Sequence, residues 1–324
     1  MKIALRALAA CALALGATAA SAQTFPTKPV TMVVPFTAGG PTDAVGRALA
    51  QAMGKNLGQS VVVENVGGAG GTVGAAKVKN ASPDGYTVLL HHIGMSTAPS
   101  LYRKLSYNPA TDFEMIGLVV DTPMTVIARP DFPAKDFNEF LSYLKANKAK
   151  INLANAGVGS ASHLCGMLFM TTIDTDFTTV PFKGTADAMN ALLGKQVDFL
   201  CDQTTNTTGQ IQAGSVKAYA VTSKQRVATL PSLPTLQEAG LKTFEVGVWH
   251  GIYAPKGTPK PVVEKLVAAL QAAVKDPDFR KRMADLGATV YPVEMATPAA
   301  LGTHLNAEIA KWGPVIKKAG VYAD

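Results

Sequence analysis

The strongest constraint on the fold is a repeated alternation of short β-branched runs with longer alanine-rich stretches. Strands are predicted at residues 30–34, 60–64, 86–90, 124–128, 152–154, 197–200 and 218–221. Helices are predicted between them at residues 43–57, 72–80, 137–147, 162–172 and 186–193. Short apolar strands separated by helices are typical of parallel sheets with crossover helices. The pattern therefore predicts an α/β fold in which two groups of βα units follow one another.

The C-terminal part of the chain breaks this alternation. Residues 261–275, 278–286 and 297–318 have the pattern of amphipathic or alanine-rich helices, with little strand between them. Such helices need a sheet to cover. We therefore predict that the chain enters a second lobe and returns: residues 23–122 and 248–324 form lobe 1, and residues 123–247 form lobe 2.

The first 22 residues have the order of a secretory signal peptide. Lys2 and Arg6 precede an apolar stretch over residues 7–20, and Ala20-Ser21-Ala22 offers small residues for cleavage. The stretch is shorter than the roughly 20 residues that a membrane-spanning helix needs. We therefore predict cleavage after Ala22 and a periplasmic location.

The distribution of charge argues against nucleic-acid binding. The formal net charge is +7, and Lys2 and Arg6 contribute two of these charges. The remaining excess is spread along the chain without a dense basic block. A dispersed positive charge suits a small anionic ligand, and a monomer without a nucleic-acid partner is predicted.

Cys165 and Cys201 are the cysteines that remain once residues 1–22 are removed. An oxidising compartment would permit them to pair, but small buried thiols are also common, so the sequence leaves the disulfide open. Two cysteines and five scattered histidines do not have the spacing of a metal site. Neither a metal nor another cofactor is predicted.

Two glycine-containing loops between a strand and a helix are the candidate ligand site. In the first, residues 35–43, Gly39 and Gly40 permit a tight turn and Thr42 is predicted to cap the next helix. The second, residues 155–162, adds serine hydroxyls to free amides. Amides at a helix N-terminus attract anions without a basic side chain. An ordinary strand-to-helix turn is the alternative for either loop alone, but two such loops could hold one carboxylate from opposite sides.

An enzyme is the main alternative function. Ser160, His163 and Asp202 could serve a hydrolase or lyase, but the glycines around Ser160 do not have the spacing of a nucleophile elbow. The glycine-rich run at residues 67–71 lacks both the Lys-Ser/Thr end of a P-loop and the spacing of a dinucleotide site. Binding without catalysis is therefore predicted.

Seven separated motifs, in order, resemble the Bug-type, or TctC-type, receptors of tripartite tricarboxylate transporters. They are Pro35-Phe36 with Gly39-Gly40 and Asp43; Asn65 with Gly67-Gly68-Ala69-Gly70-Gly71; Pro83-Asp84-Gly85-Tyr86-Thr87; Gly157-Val158-Gly159-Ser160 with His163-Leu164; Val180-Pro181-Phe182-Lys183-Gly184; Pro234-Thr235 with Glu238 and Gly240; and Ala254-Pro255 with Gly257-Thr258-Pro259. The resemblance extends over essentially all of residues 23–324.

The resemblance implies a two-lobed clamshell like that of periplasmic binding proteins, in which each lobe is a mostly parallel sheet flanked by helices. It implies that the lobes close over a carboxylate and deliver it to membrane subunits of a transporter, with sensing for a signalling partner left open. It places Asp202 at the cleft wall, near ligand amines or hydroxyls. By position, the gripping residues would be Phe36, Thr37, Ala38, Gly39, Gly40, Thr42, Asp43, Gly159, Ser160, Ala161 and Ser162.

His91 and His92 follow the third predicted strand, where many family members have small polar residues. Side chains alternate along a strand, so at most one of the two rings is expected in the cleft, and packing is the alternative for both. If one ring donates to a second carboxylate, and Phe36 and Trp249 flank a flat or apolar middle, the ligand is a dicarboxylate, aromatic ones included. An imidazolium donor would make binding weaken as the pH rises through about 6.5.

Overall fold

The computed structural model describes residues 25–323, so the predicted signal peptide lies outside the described residues. The strands are β1 (Val30–Val34), β2 (Val61–Asn65), β3 (Thr87–His92), β4 (Phe113–Ala128), β5 (Asn152–Asn155), β6 (Thr178–Pro181), β7 (Phe199–Gln203), β8 (Lys217–Val221), β9 (Gly247–Pro255) and β10 (Thr289–Val290). The α-helices are α1 (Pro41–Leu57), α2 (Thr72–Lys79), α3 (Gly94–Leu101), α4 (Phe137–Ala146), α5 (Ala161–Ile173), α6 (Thr185–Leu193), α7 (Thr204–Gln212), α8 (Lys260–Lys275), α9 (Pro277–Asp285) and α10 (Pro298–Ala319).

The helices predicted from the sequence are present with bounds shifted by a few residues, and the three C-terminal helices are α8, α9 and α10. Strands β6, β9 and β10, helices α3 and α7, and the first part of β4 were not predicted from the sequence. Helix α7 has the sequence TTNTTGQIQ, in which threonine and asparagine have low intrinsic helix propensity. Helix α3 contains Pro99, which disfavours a helix interior.

The strands form two sheet portions that share the long strand β4, and we call each portion with its helices a lobe. In lobe 1, β2, β1 and β3 are parallel, and β9, β4 and β10 continue the sheet with antiparallel pairs. In lobe 2, β6, β5 and β7 are parallel, and β4 and β8 continue it with antiparallel pairs. The predicted α/β fold class is confirmed, and the antiparallel pairs involve β4 or β9.

The connection between the lobes runs through β4 and the segment before β9. β4 pairs with β9 as far as Pro123 and with β7 from Met124 onward. Buried Thr222 ties the two crossing segments together, because its hydroxyl accepts from the Met124 amide at 2.9 Å and donates to the Val246 carbonyl at 2.6 Å. The lobe boundaries predicted after residues 122 and 247 remain predictions.

Apolar packing occurs within each lobe and also between them, since one continuous cluster of buried apolar side chains contains residues of both. In lobe 1, Leu49 of α1 and Leu270 of α8 pack with the sheet residue Leu90, and all three are fully buried. Lobe 2 is held by an aromatic cluster in which Phe140 of α4 stacks on Tyr219 of β8, with ring centroids 4.2 Å apart. None of the helices within residues 25–323 has the length and apolar character to cross a membrane.

A disulfide joins Cys165 of α5 to Cys201 of β7, which answers the question that the sequence left open. Both cysteines are buried. Residues at the start of α5 and at the end of β7 line the space between the lobes. The bond therefore fixes the position of α5 against the sheet of lobe 2.

Candidate functional site

The two loops selected from the sequence follow β1 and β5 and lie opposite each other across the gap between the lobes. A small cavity of about 10 Å³, room for about one water molecule, lies between them. Its lining includes the first residues of α1, α5 and α6 and the residue immediately before α7, and no Lys, Arg, Asp or Glu lines it. The lining residues are Phe36, Pro41, Thr42, His92, Ala156, Ser160, Ala161, Ser162, Thr185 and Gln203.

Converging helix N-termini give this cavity a positive potential without a basic side chain. The first amide groups of a helix have no acceptor within the helix, and the helix dipole places partial positive charge at the same end. Hydroxyl groups of Thr42, Ser160, Ser162 and Thr185 add further donors around the same space. The arrangement suits a carboxylate, because backbone amides and hydroxyls can replace the water that an anion loses on burial.

Asp43 shapes the first loop instead of lining the cavity. Its carboxylate accepts from the Gly39 amide at 2.9 Å, Arg47 Nε at 2.8 Å and Asn65 Nδ2 at 3.0 Å. Burial opposes ionisation, but the hydrogen bonds from these three partners outweigh burial and hold the pKa of Asp43 below its ordinary value. The prediction that Asp43 contacts ligand is therefore corrected, because both of its oxygens are already engaged.

Thr42 does not cap α1 as predicted. The N-cap is Gly40, and Thr42 lies in the first turn, where its hydroxyl is 3.4 Å from Nε2 of His250. The His250 ring also lies 3.1 Å from the Val248 carbonyl through Nδ1. When the proton of the His250 ring is on Nδ1, Nε2 accepts a hydrogen bond from the Thr42 hydroxyl. The Thr42 oxygen can then still accept a hydrogen bond from a group in the cavity.

The remaining residues of the first loop differ in position. Phe36 is buried in the cavity wall, whereas Ala38 and Gly39 are exposed and do not line the cavity. Gly39 has a φ of 80°, so the tight turn depends on it, while Gly40 has an ordinary φ of −82°. The Thr37 hydroxyl is buried without a hydrogen-bond partner among the described residues.

The second loop is ordered by its own hydroxyls. Ser160 caps α5 by accepting from the His163 amide at 3.2 Å, and Ser162 accepts from the Ala156 amide at 2.8 Å. The two serine oxygens are 3.1 Å apart. The Gly159 amide donates to Nδ1 of His163 at 3.4 Å, so this ring orders the loop. Gly159 is buried but is not among the lining residues, which include Ser160 to Ser162.

The two adjacent histidines have different roles, and His92 is the one at the cavity. Both nitrogens of His91 are engaged: Nδ1 accepts from the His92 amide at 2.7 Å, and the ring also hydrogen-bonds the Gly71 backbone. Nδ1 of His92 accepts from the Gly94 amide at 3.0 Å, which places the ring proton on Nε2, and the ring stacks on Phe36 with centroids 4.7 Å apart. The structure thus places one of the two rings, that of His92, at the cavity. One is the largest number that the alternation of side chains along a strand allows.

Burial keeps these imidazoles neutral. It is the main cause that lowers the pKa of His91 to about 3 and holds the pKa of His92 well below its ordinary value. Neither ring therefore titrates near pH 6.5 in this structure. A neutral His92 remains able to donate one hydrogen bond from Nε2.

Asp202 lies behind the cavity wall, and its neighbour Gln203 lines the cavity. The Asp202 carboxylate accepts from the Gln203 amide at 2.8 Å and from Asn206 Nδ2 at 2.6 Å, and it also hydrogen-bonds Thr185. Burial is the largest effect and raises its pKa to about 7. Asp202 is not among the lining residues, although its carboxylate contacts the lining residue Thr185, so its contact with a ligand stays a prediction.

Trp249 also lies outside the cavity. It packs edge-on against His304 of α10, with ring centroids 4.8 Å apart, on the face of β9 opposite to His250. The idea that Phe36 and Trp249 flank a flat ligand is therefore wrong, and the argument for an aromatic dicarboxylate loses its basis.

Five residues at the cavity were not predicted as site residues: Pro41, Ala156, Thr185 and Gln203, which line it, and His250, which contacts Thr42. The Oε1 atom of Gln203 is buried without a donor among the described residues, and the side chain lines the cavity. Thr185 directly follows the motif that ends at Gly184, and Gln203 directly follows Asp202, which was predicted as a site residue. In both cases the sequence pointed to the residue next to the one that lines the cavity. His250 lies in a strand that was not predicted.

The possible catalytic set does not assemble. Ser160 Oγ accepts from the His163 backbone, and the His163 ring accepts from the Gly159 amide, so the serine and the ring are not paired with each other. The Asp202 carboxylate bonds to Asn206, Gln203 and Thr185. Among residues 25–323 no group of three or more His, Cys, Asp or Glu side chains is placed to hold a metal ion.

Known proteins with similar sequences and structures include a periplasmic binding protein. A UPF0065 protein of Agrobacterium vitis is 48% identical over 298 residues, which cover 92% of this chain and 86% of that protein. The solved structure of the periplasmic binding protein BugD has a TM-score of 0.90 and 59% identity, and the match covers 92% of this chain and 99% of that one.

MatC from Rhodopseudomonas palustris, solved with bound malate, has a TM-score of 0.87 and 43% identity, with 90% of this chain and all of that chain (100%) covered. These relatives are substrate-binding receptors and not enzymes, in agreement with the predicted function class. The family described as "Tripartite tricarboxylate transporter family receptor" matches residues 45–321. The chain belongs to this TctC family of receptors.

Proposed function

We propose that this receptor captures a small dicarboxylate in the periplasm and delivers it to the membrane subunits of a tripartite tricarboxylate-type transporter. The observation that carries the proposal is the cavity between the lobes, which is surrounded by helix N-termini and hydroxyls and has no charged side chain in its lining. Secretion with cleavage after Ala22 and action as a monomer are parts of the proposal.

One carboxylate would lie between the starts of α1 and α5. The amides of these first turns and the hydroxyls of Thr42 and Ser160 supply its donors. A second carboxylate would accept from Nε2 of His92. Gln203 Oε1, which has no donor among the described residues, would accept from a ligand hydroxyl or ammonium group. The malate bound to the similar receptor MatC supports a ligand of this size and chemistry.

Calorimetric titration tests the proposal. Succinate, malate and aspartate should bind with one site per chain, and butyrate, which lacks the second carboxylate, should bind more weakly. Mass spectrometry after incubation should show the ligand unchanged. A chain that binds no dicarboxylate, or that converts one to a product, would contradict the proposal.

A matched pair of variants tests the position of the ligand. Thr42→Val keeps the side-chain shape and removes one hydroxyl, so affinity should fall by about 0.5–1.5 kcal/mol, the net contribution of a typical hydrogen bond. Thr172→Val makes the same change on the exposed part of α5 and should leave affinity unchanged.

Uptake of labelled ligand into vesicles that contain the transporter subunits, with and without this receptor, tests delivery.

A further inference from the structure

A groove of about 390 Å³ lies on the surface of lobe 1 between α1 and α9, apart from the cavity between the lobes. All of its lining residues belong to these two helices and to Asp276, the residue that caps α9. The groove is therefore formed within one lobe. Three basic and two acidic side chains line it: Arg47, Lys55 and Arg282, and Asp276 and Asp278.

The charges of this groove are balanced at one end and unbalanced at the other. Lys55 Nζ lies 2.7 Å from the carboxylate of Asp276 and 3.1 Å from that of Asp278, so both acidic side chains are paired with the same lysine. Arg282 lies one helical turn beyond Asp278 in α9, is exposed, and forms no ion pair with any residue in the range 25–323. The excess positive charge of the groove therefore lies away from Lys55.

Arg47 of α1 adds a second guanidinium to the lining. Its Nε donates to Asp43 at 2.8 Å and its Nη2 to Asn65 at 3.3 Å, which fixes the guanidinium on one side. The side chain is nevertheless 57% exposed, and Nη1 has no acceptor among the described residues. Arg47 and Arg282 thus both have donors available to a group that enters the groove.

The chemistry of these donors favours a carboxylate as the bound group. A guanidinium is planar and always charged, and its parallel N–H groups match the two oxygens of a carboxylate. Ala44, Ala48 and Ala52 lie at helical spacing along the α1 wall, and their small side chains leave space for a side chain to enter. The groove therefore suits an acidic side chain that enters from outside the lobe.

The length of the groove favours a protein segment over a small molecule. Its lining on α1 extends from Ala44 to Lys55, about 16 Å along the helix axis. That length is about three helical turns and exceeds the length of a small carboxylate. In addition, Pro41 and Thr42 at the start of the same helix line the cavity, so a partner in the groove contacts the helix that takes part in the ligand site. This position favours the membrane subunits, which would receive the ligand, as the occupant.

We propose that the groove between α1 and α9 is a docking site for the membrane subunits of the transporter, in which Arg47 and Arg282 bind an acidic side chain of a periplasmic segment. The inference rests on the proposed function, because it assumes delivery of the ligand to these subunits. Both arginines lie outside the seven motifs listed for the receptor family, and neither lines the cavity.

Binding of the receptor to detergent-solubilised membrane subunits, measured by microscale thermophoresis, tests the inference. Arg282→Gln should raise the Kd for the subunits by about tenfold or more, as expected for the loss of a charge-assisted hydrogen bond. Arg282→Glu should raise the Kd further, because it places like charges together. Lys281→Gln is the matched control: it removes the same charge from the neighbouring residue, which pairs with Asp285 at 2.7 Å and does not line the groove. Its Kd should change by less than about twofold.

Two further measurements separate docking from a general effect on the protein. An increase in salt from about 0.05 M to about 0.5 M should weaken docking of the wild type more than docking of Arg282→Gln, because salt screens the exposed charge that the variant lacks. Calorimetry with succinate and malate should give the same affinities for Arg282→Gln and the wild type, since Arg282 does not line the cavity.

The outcomes separate this inference from the proposed function. A wild type that binds neither dicarboxylate, or that binds one but not the membrane subunits, refutes capture or delivery respectively. If the wild type binds both ligand and subunits, and both Arg282 variants bind the subunits as tightly as Lys281→Gln does, the docking inference is overturned while the receptor function remains. An equal loss of dicarboxylate and subunit affinity in Arg282→Gln also overturns it, because the change then acts on the whole lobe instead of on the groove.

Discussion

The buried imidazoles of His91 and His250 should make the stability of this fold depend on pH. Burial is the main cause that lowers the pKa of each ring to about 3, from an ordinary value of 6.5. The unfolded chain therefore binds a proton at each ring near pH 6.5, whereas the folded chain does not until about pH 3. Each ring contributes stability that is fully present above pH 6.5 and is lost as the pH falls from 6.5 toward 3.

The size of the effect follows from the pKa difference. Each pKa unit corresponds to about 1.36 kcal/mol, and pH 5 lies about 1.5 units below the ordinary histidine value, so one buried ring removes about 2 kcal/mol of stability at pH 5 relative to neutral pH. His91→Gln removes one titrating ring. The free energy of unfolding of this variant should therefore fall by about 2 kcal/mol less than that of the wild type between pH 7.5 and pH 5.

The ionisation of Asp202 changes stability with pH in the opposite direction to that of the histidines. A variant is therefore needed to isolate the effect of one histidine ring. Burial raises its pKa to about 7, so its contribution is fully present below its unfolded pKa of about 3.8 and is lost as the pH rises through 7. In the wild type the histidines and Asp202 partly cancel, and the total pH profile does not identify either. The difference between His91→Gln and the wild type isolates the ring, because Asp202 is present in both.

Urea unfolding followed by circular dichroism at pH 7.5, 6.5, 5.5 and 5 gives the required free energies by linear extrapolation. Val88→Ala is the control, since Val88 lies fully buried in the same strand and its truncation lowers stability without removing a titrating group. The control should lose a constant amount at every pH. A His91→Gln variant whose stability falls with pH as steeply as that of the wild type would refute the argument from burial.

Three further predictions concern the framework of the site. Replacement of Cys165 and Cys201 by alanine should lower the free energy of unfolding by about 4 kcal/mol, because the cysteines are 36 residues apart, and an unchanged urea midpoint would contradict this. Thr222→Val leaves buried groups of the crossing segments unpaired and should cost about 1–3 kcal/mol in urea unfolding, whereas Thr222→Ser keeps the hydroxyl and should cost less. Asp43→Asn should weaken ligand binding in calorimetry because it loosens the first loop, and equal affinity to the wild type would show that this network does not order the site.

Local features of the sequence were sufficient to predict the α/β class, most of the helices and the two loops at the cavity. Strand and helix periodicities and glycine-containing turns depend on residues close together in the chain. The helix over residues 162–172 and the loop before it are examples, since α5 begins at Ala161 with Ser160 as its N-cap. The seven motifs predicted the receptor family, and the family match over residues 45–321 confirmed it.

The lining of the cavity could be predicted only in part. Asp202 and Gln203 are adjacent, and so are Trp249 and His250, but within each pair one side chain faces the cavity or its support and the other faces away. The sequence predicts that successive side chains of a strand point to opposite faces of the sheet. It does not predict which of the two faces lies against another helix, strand or lobe. The choice between neighbours is therefore a property of the assembled sheet.

The βα units of this chain and the glycine-containing loops before its helix starts follow from local sequence, because those features arise from short-range propensity and turn chemistry. Only the tertiary structure decided that β4 joins both sheets, that Gly70 and Gly184 meet backbone of the opposite lobe, and that the histidine rings are neutral. Contacts between residues far apart in the chain depend on strand register and on how closely the lobes approach. Burial and pKa follow from those contacts, so they become defined only when the whole chain has folded.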